Sequence, residues 1–400
     1  MPDFREELQH ELESIRAAGL HRELRRVDSP QGSRIQIGGR EFLNLSSNDY
    51  LGFANHPTLK EAAVKAVEKF GAGAGASRLI SGSLAPHHEL EESLAAFKAT
   101  EAALTFSTGY ATALGTICSL VGKDDVIILD KLVHASIVDA ARLSGAKLRV
   151  FAHNDLDDLE SKLKWAAEVR SSKLKVQSRK PRTLVVTESV FSMDGDLATL
   201  RNIVELKERY GAWLMLDEAH ATGLFGPHRR GLAEAHEVSE RIEIQMGTLG
   251  KALGASGGYV CGGRALIDLL INRARSFVFS TAPVSAAAAA ARAGIELLQS
   301  NEGEERRVHL WSLVDELKNA LVGSRFKLPV IQSAIVPLIV GGENAAIDLA
   351  AALRERGIFV PAIRYPTVAR SKARLRVTLT AEHTTADLRQ FIAALNDARV

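Results

Sequence analysis

The sequence predicts an α/β protein with a mainly parallel central sheet flanked by helices, followed by a smaller C-terminal α/β domain. Three observations carry this. Apolar runs without alternation, VIIL at 126–129 and WLML at 213–216, read as buried strands of a parallel sheet. Helical patterns separate them, which is the alternation of a parallel sheet. Beyond about residue 290 the strands and helices become more one-sided. The expected division is an N-terminal helix and arm over 1–55, a large domain over 56–290 and a small domain over 291–400.

Composition narrows the function classes. The 400 residues are 46% hydrophobic and 24% charged with a formal charge of +2, so neither nucleic acid nor an anionic membrane is expected as the main partner. Cys118 and Cys261 lie far apart without CxxC spacing, which fits buried thiols in a reducing compartment better than a disulfide framework or a metal site. The N-terminus MPDFREELQHEL is charged and unlike a secretory signal. The alanine-rich stretch 285–299 is interrupted by Arg292 and is too short to span a bilayer, so a cytoplasmic protein is expected.

Taken in order, Phe4, Leu8, Leu12 and Ile15 place one apolar stripe on an N-terminal helix that needs a surface to pack against. Residues 19–37 are basic and irregular; Arg22, Arg25 and Arg26 suit either a solvated arm or a substrate-anion contact. FLNLSSNDYLGFANHP reads as a strand and turn before a helix over 58–70. The glycines of 71–82 superficially resemble a dinucleotide loop, but a helix precedes them where that motif needs a strand. HHELEESLAAF at 87–97 is a helix, and 100–120 reads as strand, tight turn and helix. The turn at 107–110, with Gly109 and Tyr110, is either a helix N-terminal anion site or a plain strand-to-helix turn.

VIIL ends at Asp130 and leads to His134, which alone would read as structural. RVFAHND and TLVVTESVFSMDGD continue the alternation, gathering Ser189, Ser192 and Asp194 at one strand end. The segment 169–182 carries six basic residues and no acid, and reads as a solvated loop. WLML stops at Asp217 and Glu218. Ligands of open parallel sheets lie outside the carboxyl ends of strands, so Asp217 and His220 are placed for chemistry. A strand over 242–246 then runs into GTLGKALGASGG, whose glycines around Lys251 suggest a backbone close to a ligand and a reactive amine. In the C-terminal part, a helix over 303–322 precedes a strand over 334–340, a helix over 345–357 and a strand over 358–363 ending at Arg364. Leu375, Val377 and Leu379 alternate with Arg374, Arg376 and Thr378 as in a half-exposed strand, and Thr384 or Thr385 caps a last helix.

Several chemistries compete for these residues. LDEAH after a strand resembles a DEAH-type nucleotide hydrolase, yet the phosphate loop GxxxxGK[ST] is missing, with Gln245 and Ala252 at the diagnostic places around Lys251. No HExxH metal motif or GxSxG nucleophile elbow is present. A reactive lysine, a strand-end acid and an anion-binding turn together fit pyridoxal 5'-phosphate: lysine condenses with its aldehyde, and a carboxylate keeps the pyridine nitrogen protonated.

At this point the chain resembles the α-oxoamine synthase family of fold-type I pyridoxal-phosphate enzymes. The residues that carry the likeness are NLSSNDYLGFANHP, SRLISGS, PHHELE, DKLVHASIVDAARLS, FAHNDLDDLE, VVTESVFSMDGD, AWLMLDEAHATGLFG, GTLGKALGASGGY, FSTAP and AIRYPTV followed by ARLRVTLTAEHT, from about residue 40 to 385. The resemblance implies an aspartate aminotransferase-like fold and a homodimer with shared active sites. It makes Lys251 the cofactor-bearing lysine, Asp217 the partner of the ring nitrogen, His220 the partner of the phenolic oxygen and His134 the residue stacked on the ring. Ser192 and Thr248 would contact the cofactor, Gly109 and Tyr110 would hold its phosphate, and Thr281 of the partner subunit would complete that cup. Arg364 would bind an amino acid carboxylate, with Arg22, Thr367 and Asn48 as further substrate positions.

The implied reaction is a decarboxylating condensation of an amino acid with an acyl thioester on coenzyme A or a carrier protein, with Lys251 moving the α-proton. AIR at 362–364, FAHND and RLRVTLTAEH favour the biotin-pathway branch, L-alanine plus a pimeloyl thioester. Tyr365 departs from that branch, and GTLGKALGASGG and YPTV also resemble relatives that use glycine, so glycine plus acetyl-CoA is the alternative. A catalytically silent partner subunit would not need Lys251, Asp217 and His134 together.

Overall fold

Runs that are apolar at every position end up in the middle of a sheet, where helices cover both faces. A computed structural model describes residues 3–173, 179–326 and 328–398. In chain order its strands are β1 (Arg34–Ile37), β2 (Arg40–Asn44), β3 (Ala102–Phe106), β4 (Val126–Asp130), β5 (Lys147–Phe151), β6 (Thr183–Glu188) and β7 (Trp213–Asp217). They continue as β8 (Ile244–Thr248), β9 (Gly258–Gly262), β10 (Ile335–Gly341), β11 (Ile358–Phe359), β12 (Ala362–Ile363) and β13 (Ala373–Thr378). One unit comprises Asn48–Ser192 and Asp196–His309; the other comprises the chain through Ser47, Met193–Gly195 and everything from Leu310.

The larger unit is built on a seven-stranded sheet of order β3-β9-β8-β7-β6-β4-β5. Strands β4 to β8 run parallel and only β9 opposes its neighbours, so β3, β4, β6, β7 and β8 end at one edge. Every residue of β3, β4 and β6 is buried, which is why these runs show no alternation. Ile127, Leu184, Val186, Met215 and Met246 pack with Ile117 of the helix Gly109–Leu120 and Ile137 of the helix Ala135–Ser144. Each such side chain contributes about 1.5–3 kcal/mol by leaving water. Gly258 seats the start of the first of these helices against β9: a Cβ there would lie 2.8 Å from the Gly109 nitrogen and 2.4 Å from Thr112 Oγ1. The expected strand over 242–246 begins two residues later as β8, because Ser239–Arg241 forms a 3₁₀ turn that leads into it.

In the smaller unit, β1 and β2 form a hairpin through Gly38 and Gly39, both at positive φ, and β11 adds parallel to β2. The Leu43–Ile358 pairing places the first 47 residues with the C-terminal segment, so the observed division differs from a separate arm over 1–55 and a boundary at 290. Such a pairing leaves no local trace in sequence. The expected single strand over 358–363 is two, β11 and β12, in different sheets; Pro361 between them has no N–H for a ladder. β13 was expected to be half exposed and is buried throughout. Arg374 donates to Asp194 Oδ1 at 2.5 Å and to the Met193 carbonyl at 3.1 Å, and Arg376 donates to Thr378 Oγ1 at 2.8 Å, so both guanidinium groups are satisfied away from water.

The helix Phe4–Ala17 forms as its stripe predicts, with the Glu6 carboxylate accepting the Asp3 N–H at 3.2 Å. None of its residues is buried, and Phe4, Leu8, Leu12 and Ile15 stay exposed. Of the basic segment, residues 169–173 belong to the helix Leu156–Lys173 and 174–178 lie outside the described residues. Arg170 donates to the carbonyls of Tyr210 and Gly211, Arg179 pairs with Asp125 at 2.7 Å, and Arg182 donates to the Leu120 carbonyl at 2.8 Å, so these residues hold the fold rather than a solvated loop. Cys261 is buried as expected, whereas Cys118 is only half-buried. No described helix is long and apolar enough to cross a membrane.

Candidate active site

Asp217 is the last residue of β7 and is 7% exposed. Its Oδ1 accepts the Ala219 N–H at 2.9 Å, and its carbonyl accepts the N–H and hydroxyl of Ser189 at 2.9 and 3.0 Å. Burial raises this carboxyl above its ordinary range, while the charge of Lys251, in the loop after β8, pulls it back down. Lys251 also acts electrostatically on His134, so the sheet edge does bring acid, amine and imidazole together.

His134 caps the helix Ala135–Ser144, its Nδ1 2.8 Å from the Ser136 hydroxyl and accepting the Ser136 N–H at 3.2 Å. Dehydration of the ring holds it below the usual imidazole value, with Asp217 opposing and Lys251 reinforcing, so it is neutral near pH 7. His220 is 7% exposed with Nδ1 2.6 Å from the Tyr50 hydroxyl. Tyr50 escaped the sequence reading because it lies in a turn far from the DEAH stretch.

Gly109 and Tyr110 open a helix whose first amides have no intrahelical acceptor, and the hydroxyl of the cap Thr108 accepts the Ala111 N–H at 3.0 Å. A Cβ on residue 109 would stand 2.6 Å from Thr248 Cγ2, so only glycine lets the turn approach β8. Thr248 Oγ1 is buried without a hydrogen-bond partner. A stranded hydroxyl costs about 1–3 kcal/mol, and a phosphate oxygen would satisfy it together with the helix amides. The residues present therefore fit pyridoxal phosphate: helix amides and Thr248 for the phosphate, Asp217 for a cationic ring nitrogen, Lys251 for the aldehyde.

The other candidates fall as follows. Ser192 is buried in the loop after β6, Asn48 is half-buried at the start of the larger unit, and exposed Thr281 pairs with Ser77 in an isolated bridge. The Tyr110 hydroxyl turns to Asp139 at 2.8 Å, which leaves its backbone as the part available to an anion. Asp194 is taken by Arg374. In the smaller unit Arg364 donates to the carbonyls of Gly19 and His21, while Arg22 and Thr367 are exposed. The second acid of DEAH, Glu218, is fully buried; it pairs with the Lys98 ammonium and accepts the Ala233 N–H at 2.9 Å, so it serves the fold. The reading also missed Glu188, the last residue of β6, although the strand-end rule that selected Asp217 selects it as well.

Comparison with known proteins agrees with this geometry. The family model described as aminotransferase class I and II matches residues 40–395. The 8-amino-7-oxononanoate synthase of Geotalea daltonii is 48% identical over 385 residues, covering 96% of this chain and 95% of that protein. The serine palmitoyltransferase of S. paucimobilis, solved with bound PLP and myriocin, superposes with a TM-score of 0.90 at 30% identity, covering 99% of this chain and 98% of that one. The 8-amino-7-oxononanoate synthase of Francisella tularensis superposes with a TM-score of 0.74 at 27% identity, covering 88% and 96%. The chain thus belongs to the aminotransferase class I and II family and, within it, to the α-oxoamine synthases, with the fold-type I architecture and pyridoxal phosphate as cofactor.

Proposed function

We infer that this chain catalyses the decarboxylating condensation of L-alanine with a pimeloyl thioester, the 8-amino-7-oxononanoate synthase reaction of biotin biosynthesis. One observation in the site carries the reading: Asp217 and Lys251 act on each other at a sheet edge where Thr248 Oγ1 lies buried without a partner. The near-half identity to relatives of that name over 96% of the chain selects the reaction within the family.

When bound, pyridoxal phosphate supplies the electron sink for a carbanion at the amino acid α-carbon. The chain's residues do the rest. Lys251 would hold the cofactor aldehyde and supply the neutral amine that takes the proton from the amino acid α-carbon. Asp217 would keep the ring nitrogen protonated, His220 would hold the phenolic oxygen, and His134 would face the ring. Ser192 and Thr248 would contact the cofactor, and the amides of Gly109 and Tyr110 would hold its phosphate with Thr281 of the partner subunit in a homodimer. Arg364 takes the alanine carboxylate in exchange for the carbonyls of Gly19 and His21, an exchange favoured because a charge-assisted pair is stronger than bonds to neutral carbonyls. Arg22, Thr367 and Asn48 serve the acyl and amino acid substrates. Attack of the alanine α-carbon on the thioester carbonyl would expel the thiolate, which takes up a proton, and the α-carbon that then loses CO₂ would be reprotonated to leave the amino ketone product.

The test is thiol release by the purified, cofactor-loaded protein. L-Alanine with pimeloyl-CoA or the pimeloyl carrier protein should support turnover, and glycine with acetyl-CoA or serine with palmitoyl-CoA should give less than a tenth of that rate. Faster release with either of the latter pairs would overturn the substrate assignment.

A further inference from the structure

Glu188 is a fully buried carboxyl beside the reacting groups for which the reaction above has no use. It ends β6, the strand between β4, which leads to His134, and β7, where it lies in register with Asp217. Its carboxyl accepts the backbone N–H groups of His134 and Ser192, and its Oε1 is buried without a hydrogen-bond partner. His134 and Ser192 lie in different loops, one after β4 and one after β6. A single side chain thus pins both loops to the central strand at the level of Asp217.

We propose that Glu188 is the positioning residue of the cofactor site, its carboxyl fixing the backbone of His134 and Ser192 so that their side chains meet the cofactor. This rests on the reading of those two residues as cofactor contacts. Burial and the neighbouring Asp217 push the Glu188 carboxyl up to about 8 against the pull of Lys251, so near pH 7 it is mainly the neutral acid. A neutral carboxyl keeps its acceptor oxygen without adding a second negative charge beside Asp217. Glutamine copies that form: its amide oxygen accepts the same two N–H groups. Leucine fills the volume and accepts neither, and each buried N–H left unpaired weakens the arrangement.

The experiment compares pyridoxal phosphate binding by the wild-type apoprotein with that of Glu188→Gln and Glu188→Leu, following the dissociation constant and the circular dichroism of the bound cofactor band. The glutamine variant should stay within about threefold of wild type and keep the dichroism, while the leucine variant should bind at least tenfold more weakly with an altered band. Equal binding and dichroism in the leucine variant, or a glutamine variant as weak as leucine, would overturn the proposal. Should the leucine variant not fold, amide exchange in wild type decides: protected N–H groups at His134 and Ser192 support the clamp, and free-loop exchange at either refutes it. Failure of the wild-type protein itself to bind the cofactor would remove the functional reading as well as this one, whereas equal binding by wild type and the leucine variant removes this one alone.

Discussion

At the scale of single residues, the proposed reaction would divide its work between Asp217 and Lys251. A carboxylate can keep a pyridinium proton in place because its charge pairs with it; an amide of the same shape cannot. Asp217→Asn should therefore slow exchange of the alanine α-proton with solvent at least a hundredfold while the protein stays folded. Proton magnetic resonance in D₂O reads this directly, and an unchanged exchange rate would exclude the assigned role. These two residues were legible in the sequence because each follows an apolar strand and is chemically conspicuous. Glu188 follows the same rule but was hidden among Thr187, Ser189 and Ser192, where a run of polar residues gave no reason to single out one. Arg374 and Arg376 misled for the opposite reason: alternation looks the same whether the arginines face water or a carboxylate and a hydroxyl of the fold.

At the scale of elements, one histidine just after β5 joins the end of β4 to the loop after β6. His153 Nδ1 lies 3.0 Å from Asp130, and Nε2 lies 2.7 Å from Asp196. Burial alone would push this imidazole down, but hydrogen bonds to the two carboxylates outweigh it and raise the value from 6.5 to about 10. A raised folded value means that the protonated form is bound more tightly in the fold than in the unfolded chain. Its stabilisation is complete below pH 6.5, declines as the pH rises, and is gone above about 10. The difference in urea unfolding free energy between wild type and His153→Asn should therefore shrink steadily from pH 6.5 to pH 10. A difference that stays constant or grows over that range would contradict the pairing. FAHND was legible as a strand end, but the bridge was not, because Asp130 ends another strand and Asp196 lies in the loop after β6.

For the molecule as a whole, the sequence disclosed the parallel sheet because burial on both faces leaves an unmistakable composition. It did not disclose how the chain closes on itself. The β2–β11 pairing and the Arg374–Asp194 contact join segments far apart in sequence, and no local pattern records them. The lysine, the strand-end acid and the turn pointed to the cofactor before the family likeness did; the geometry adds the stranded Thr248 hydroxyl and the glycine-dependent approach of residue 109, both of which suit a phosphate. Everything proposed about the reaction depends on Lys251 carrying that cofactor. Borohydride reduction of the loaded protein, followed by peptide mass mapping, tests this most directly: the account predicts a reduced pyridoxyl group on Lys251, and a label on another lysine, or none at all, would contradict it.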